Sequence, residues 1–213
     1  GVIESLDHEA RGITRLDGKT IFVEGALPGE RVEYVCFRKK PTFEVARAER
    51  ILKASPDRVT PKCPHFGVCG GCSMQHLDPG AQVAAKQRVL ESNLWHLGRL
   101  KAEQLYSPIY GAAWGYRLRA RLSVRLVVKK GGALVGFHER KSSYVADMCQ
   151  CEILAPHVSA LLLPLRDLIS GLSINRGVPQ IEVAVGEYIT ALVLRILEPL
   201  NAADEALLRE FAD

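Results

Sequence analysis

Three thiols fall within ten consecutive residues: Cys63, Cys69 and Cys72 in the segment CPHFGVCGGC. No cationic stretch followed by an apolar run and a small-residue cleavage site opens the sequence, so a cytoplasmic setting is expected. Thiols stay reduced there, and clustered cysteines point to metal before disulfide. Gly70 and Gly71, between the last two cysteines, let the backbone fold tightly around an inorganic core and offer amide donors to its sulfides. A fourth ligand must come from elsewhere. Cys149 and Cys151, in MCQCEIL, are the candidates, whereas Cys36 sits at an apolar strand position. Zinc also takes four thiolates, but zinc ribbons present two paired CxxC knuckles and this chain has one. The spacing therefore favours an iron-sulfur cluster and leaves zinc open. Thioredoxin-like chemistry at Cys69 and Cys72 is disfavoured because no strand precedes the pair. His65 and His76 flank the motif and read as structural.

The 213 residues suffice for one small and one larger domain, and the 47% hydrophobic and 24% charged fractions are those of an ordinary globular chain. The net charge of +4 permits RNA without requiring it. The longest apolar run, 158–172, is broken by Arg166 and Asp167 and falls short of the roughly 20 residues a membrane span needs. No membrane partner is expected.

Residues 1–54 alternate short β-type runs with glycine turns, a pattern that fits a closed five-strand barrel of the OB type. Arg38, Lys39, Lys40, Arg47 and Arg50 on it could follow a phosphate backbone. Pro56, Pro61 and Pro64 mark a linker. Asp78 then caps a helix that starts at Pro79 and carries Val83, Leu90, Leu94 and Leu97 as an apolar stripe up to Gly98. Residues 114–128 read as a strand with Arg117, Arg119, Arg121 and Arg125 on one face and Leu118, Ala120, Leu122, Val124 and Leu126 on the other. A return arm follows at 133–138. Beyond it come a helix from Pro156 to about Ser170, a hairpin over 180–197, and a last helix after Asn201. The overall class is mixed and β-rich, divided into 1–54, an α+β domain of 55–75 with 107–213, and a helical segment 76–106. The amphipathic pattern runs to Asp213 with no cap or stop signal, so the chain reads as cut there.

The motifs CPHFGVCGGCSMQH, GYRLRARLSVR, GFHERKSSYVAD and QCEILAPHV, with SLDHEARGI and IFVEGALPGE near the start, together resemble the bacterial 23S rRNA (uracil-5-)-methyltransferases of the RlmD (RumA) type. The resemblance is collinear over essentially the whole chain. It implies that the barrel is a TRAM domain and that Cys63, Cys69, Cys72 and Cys151 hold a four-iron, four-sulfur (4Fe-4S) cluster. It further implies a monomer that acts on 23S rRNA with S-adenosylmethionine as methyl donor. Arg117, Arg119, Arg121 and Phe137, with Lys39 and Lys40, become the expected RNA contacts, the arginines clamping phosphates and the aromatic stacking a base. No glycine-rich cofactor loop or nucleophile motif of that family is found. A Rossmann-like catalytic domain is therefore expected to be absent, S-adenosylmethionine to be bound outside these residues, helix 76–106 to pack on the missing domain, and the fragment to be inactive. A non-enzymatic RNA-binding module with a structural zinc or cluster site is the alternative.

Overall fold

A computed structural model describes residues 1–212 and divides into two units, 1–61 with 73–110 and 62–72 with 111–213. In the first, β1 (Ser5–Leu6), β2 (Gly12–Leu16), β3 (Lys19–Glu24), β4 (Arg31–Lys39) and β5 (Phe43–Lys53) form a sheet in the order β1-β2-β3-β5-β4. Asp17 and Gly18 both adopt positive φ. They make the two-residue hairpin whose twist matches that of β2 and β3. Ile3, Ile21, Val23, Ala26, Val32 and Ala46 form the apolar core of this unit.

The closed barrel expected from the sequence is corrected to an open five-stranded sheet. Its edge strands β1 and β4 share no ladder; residues 1–3, ahead of β1, meet 29–32 through the isolated bridge Val2↔Arg31 and backbone hydrogen bonds such as Ile3 N–H to Glu30 O at 2.9 Å and Val32 N–H to Gly1 O at 2.9 Å. The reason is the length of β1, two residues, which presents too few backbone groups to pair on both sides.

Glu30 lies fully buried in this unit. Its carboxylate accepts the backbone N–H groups of Leu27 at 2.9 Å and Ser55 at 3.1 Å and is forked by the Arg58 guanidinium. Helix α1 (Pro79–His96) begins as the sequence predicts, with the Asp78 side chain accepting from Gly80 N at 2.8 Å and Pro79 in the first turn. None of its residues is buried.

The second unit is built on β6 (Arg119–Val127), β7 (Gly132–Gly136), β8 (Gln180–Val185) and β9 (Thr190–Arg195), antiparallel in the order β7-β6-β8-β9. Gly131 closes the β6–β7 hairpin in the left-handed conformation, after a single 3-10 turn. The helix expected over 156–170 is two helices, α2 (Pro156–Ala160) and α3 (Leu162–Gly171), broken at Leu161. Pro164 explains the break. It has no N–H for the Ala160 carbonyl, and its ring crowds that oxygen. Past the break, Leu162, Leu165 and Ile169 are completely buried and share a cluster with Leu122, Val124, Val135 and Ile181 of the sheet. Leu165→Ala is expected to lower unfolding free energy by about 3 kcal/mol, read from the denaturant midpoint. A cost under about 1 kcal/mol would show that α3 is not central to this core.

Helix α4 (Ala202–Ala212) starts with a reciprocal cap: Asp204 N donates to the Asn201 side-chain oxygen at 2.8 Å and Asn201 N to the Asp204 carboxylate at 3.4 Å. The same buried carboxylate accepts Ser173 N and Oγ, tying α4 to the end of α3.

Candidate cluster site and nucleic-acid interface

The CGGC loop and the segment before α2 lie in the same unit. Cys63, Cys69 and Cys151 are buried, Cys72 is half-buried and packed against the core, and Cys149 is exposed. Burial pushes the Cys69 thiol above its ordinary pKa, and the charges of Cys151, Cys72 and Cys63 push it further. Cys151 is likewise raised by burial and then by Cys72 and Cys63. Cys63 is raised by burial and also feels Cys72. These four thiols therefore lie within electrostatic reach of one another.

Backbone donors approach the same sulfurs: Gly71 N–H donates to Cys69 Sγ at 3.4 Å. The Ser159 hydroxyl accepts Cys151 N–H at 2.8 Å, which fixes the segment entering α2. Cys149 instead pairs with His65, whose Nε2 accepts the Cys149 backbone N–H at 3.2 Å and stands 3.5 Å from Sγ. Among the described residues no group of three or more His, Cys, Asp or Glu side chains is arranged to hold a metal ion. The cluster expected from the sequence is thus not shown here as a formed ligand shell.

Alternation in β6 holds from Arg119 onward, where Arg119, Arg121 and Arg125 are exposed and Leu122 and Val124 buried. It fails before that. Residues 115–117 run beside 152–154, with Arg117 N–H donating to Ile153 O at 2.8 Å, so Leu118 is exposed rather than in the core. Arg117 consequently leaves the row and places its guanidinium 5.2 Å from the centre of the Phe137 ring.

One nearby carboxylate, that of Asp147, is engaged by cations outside that row. Asp147 is held by Arg166 at 2.8 Å and Lys130 at 3.3 Å, which keep its pKa low against the opposing effect of burial. The carboxylate that does face the row is Glu182, which β8 sets opposite Arg121; it lies 3.9 Å from Arg121 and 2.7 Å from Arg195. Lys39 and Lys40 are exposed in the first unit, Lys39 at the end of β4 opposite Glu44.

Sequence reasoning missed Glu182, Arg195, Tyr116 and the Lys62 contacts. Lys62 bonds Glu152 at 2.7 Å and lies 5.4 Å from the Trp114 ring centre. Burial raises the Tyr116 pKa, and Cys72 adds to it. The signal available for Glu182 and Arg195 was the polar face of the 180–197 hairpin.

A TRAM domain model matches residues 2–33. The fold is that of the Pyrococcus abyssi tRNA (uracil-54, C5)-methyltransferase, solved with S-adenosyl-L-homocysteine, at a TM-score of 0.62 and 22% identity over 97% of this chain and 48% of that one.

More particularly, the chain is 67% identical over 99% of its length to the 23S rRNA (uracil(1939)-C(5))-methyltransferase RlmD of Burkholderia pseudomallei. It is 66% identical over the same share to that of Burkholderia thailandensis. The resemblance to RlmD-type 23S rRNA uracil-C5 methyltransferases read from the sequence is therefore shown along the chain. The chain spans about half the length of these relatives, 47% of each.

The expectation of an absent methyltransferase domain and an inactive fragment is corrected. The fold matches a methyltransferase over 97% of the chain, its relatives over 99% are methyltransferases, and neither match supports inactivity. Among the described residues no helix is long and apolar enough to cross a membrane.

Proposed function

We propose that this chain serves an S-adenosylmethionine-dependent methyltransferase of the cytoplasm that modifies carbon 5 of a uridine in 23S rRNA. The observation that carries the reading is 67% identity along 99% of the chain to an enzyme of that name. The donor supplies the methyl group. The residues described above bind and orient the RNA.

On this reading Arg119 and Arg121 clamp phosphates on the exposed face of β6, and Glu182 faces the Arg121 guanidinium until RNA displaces it. Phe137, backed by Arg117, offers a ring for a splayed base. Lys39 and Lys40 supply further phosphate contacts from the TRAM sheet.

Cys63, Cys69, Cys72 and Cys151 are proposed as ligands of a 4Fe-4S cluster. Zinc also takes four thiolates, and the single CxxC of this chain is what favours the cluster over it. Four largely buried thiols in electrostatic reach of one another, with a glycine amide donating to one of them, support the reading. Such a group, when bound, supplies cross-links between the CGGC loop and the segment before α2.

The test is methyl transfer in the whole protein. Arg119→Gln combined with Arg121→Gln is expected to lower kcat/KM on 23S rRNA by about 30-fold, mainly through KM, and to reduce the salt slope of RNA binding by about 2. Unchanged affinity and slope would remove the arginine row from the RNA site.

A further inference from the structure

We infer that the open cleft above Gly70 and Gly71 seats a phosphodiester of the bound RNA, making the cysteine loop itself an RNA contact. This rests on the RNA reading of the β6 face and extends it to a second surface of the same unit.

The cleft measures about 390 Å³ and is lined by the two glycines and by residues 137–141. Its floor is backbone. Gly70 N–H donates to His138 O at 2.8 Å and Arg140 N–H to Val68 O at 2.8 Å, so the two segments are clamped edge to edge. The glycines suit that approach: a Cβ at Gly70 would stand 3.1 Å from His138 O, and one at Gly71 3.3 Å from the Phe137 ring and 3.4 Å from Cys69 Sγ, each a tight contact.

The rim carries the charge. Arg140 and Lys141 stand on one side, the Phe137 ring forms a wall, and Glu139 is the one acidic side chain in the lining. Lys141 occupies the left-handed region at φ 56°, uncommon for a residue with a long side chain. Such backbone persists where neighbours over-determine it, as at ligand clamps.

A cleft lined by an arginine and a lysine suits a tetrahedral anion, for which the guanidinium is a planar charged donor. The cleft is too open to bury most of a small ligand, as a free-metabolite site does. An anionic group on a polymer does not need that enclosure, because its other contacts supply the remaining affinity.

The experiment measures affinity of the whole protein for an unmodified 23S rRNA fragment across a salt series, with iron content determined for each variant. Arg140→Gln is expected to weaken binding about fivefold and to reduce the salt slope by about 0.9. Lys129→Gln, the same charge loss at the turn after β6, is expected to change it less than twofold. Glu139→Gln is expected to strengthen it two- to threefold by removing a like charge from the phosphate's surroundings (about a factor of two in rough electrostatic terms). Arg140→Lys, which keeps the charge, is expected to recover most of the affinity.

Equal effects of Arg140→Gln and Lys129→Gln would reduce the observation to general charge and overturn the inference. So would weakening by both Arg140 variants together with a loss of iron. If Arg140→Gln is silent while Arg119→Gln with Arg121→Gln weakens binding, the cleft falls and the β6 reading stands. If none of them weakens binding, both fall.

Discussion

Purified without oxygen, the whole protein is expected to carry about four irons and about four acid-labile sulfides per chain. Cys69→Ser or Cys151→Ser is expected to abolish the brown chromophore. Metal binding to a site that the unfolded chain lacks adds directly to folding free energy. Loss of the cluster should therefore lower Tm by about 10 °C, at the roughly 2–4 °C per kcal/mol of a domain this size.

The expected asymmetry lies with Cys149. It is exposed and engaged by His65, whereas Cys151 is buried within reach of the other thiols. Cys149→Ser should keep both chromophore and Tm. Stoichiometric zinc without sulfide would defeat the cluster reading, and a chromophore lost in Cys149→Ser but kept in Cys151→Ser would exchange the fourth ligand.

Arg58→Ala is expected to destabilise the N-terminal sheet unit by about 3 kcal/mol, because it strands a buried carboxylate without its charged partner. Glu30 is fully buried and the Arg58 side chain is 23% exposed, which sets this pair apart from surface pairs such as Arg50 with Glu33, 71% and 52% exposed. Burial pushes the Glu30 pKa up, but the Arg58 hydrogen bond, helped by those from Leu27 and Ser55, outweighs this and holds it below the ordinary value.

The pH dependence follows from that direction. A carboxylate with a depressed folded-state pKa contributes stability that is fully present above its unfolded value and is lost as pH falls through the folded one. Acid unfolding of the wild-type protein should therefore steepen below the ordinary glutamate range, and Glu30→Gln should flatten that limb. Denaturant midpoints taken between pH 7 and pH 3 measure both. An Arg58→Ala cost under about 1 kcal/mol, or an unaltered acid limb in Glu30→Gln, would show that the pair contributes little.

The local features of the fold were legible. Asp78 before Pro79, Asn201 before the last helix and the two hairpins of the second sheet follow from caps and alternation, which act between residues a few positions apart. Misreadings arose where a distant segment competes with the local pattern. Leu118 continues the apolar face of its strand in sequence, yet the neighbouring backbone hydrogen-bonds to 152–154 and leaves it outside the core. The barrel failed to close because β1 is two residues long, a boundary that alternation does not reveal. Pro164 was visible in the sequence, but a helix pattern strong on both sides of it hid the break at Leu161.

The sequence by itself determined that three cysteines share one loop, that glycines lie between two of them, and that arginines alternate along a strand. Only the tertiary structure decided that Cys151 is buried near those cysteines while Cys149 turns to His65, 84 positions away in the chain. It also decided that Arg117 leaves its row for Phe137 and that Glu182 faces Arg121. The physical reason is range. Spacing and periodicity are set by covalent neighbours, whereas these pairings depend on which strands lie side by side and on where the intervening chain closes its loops.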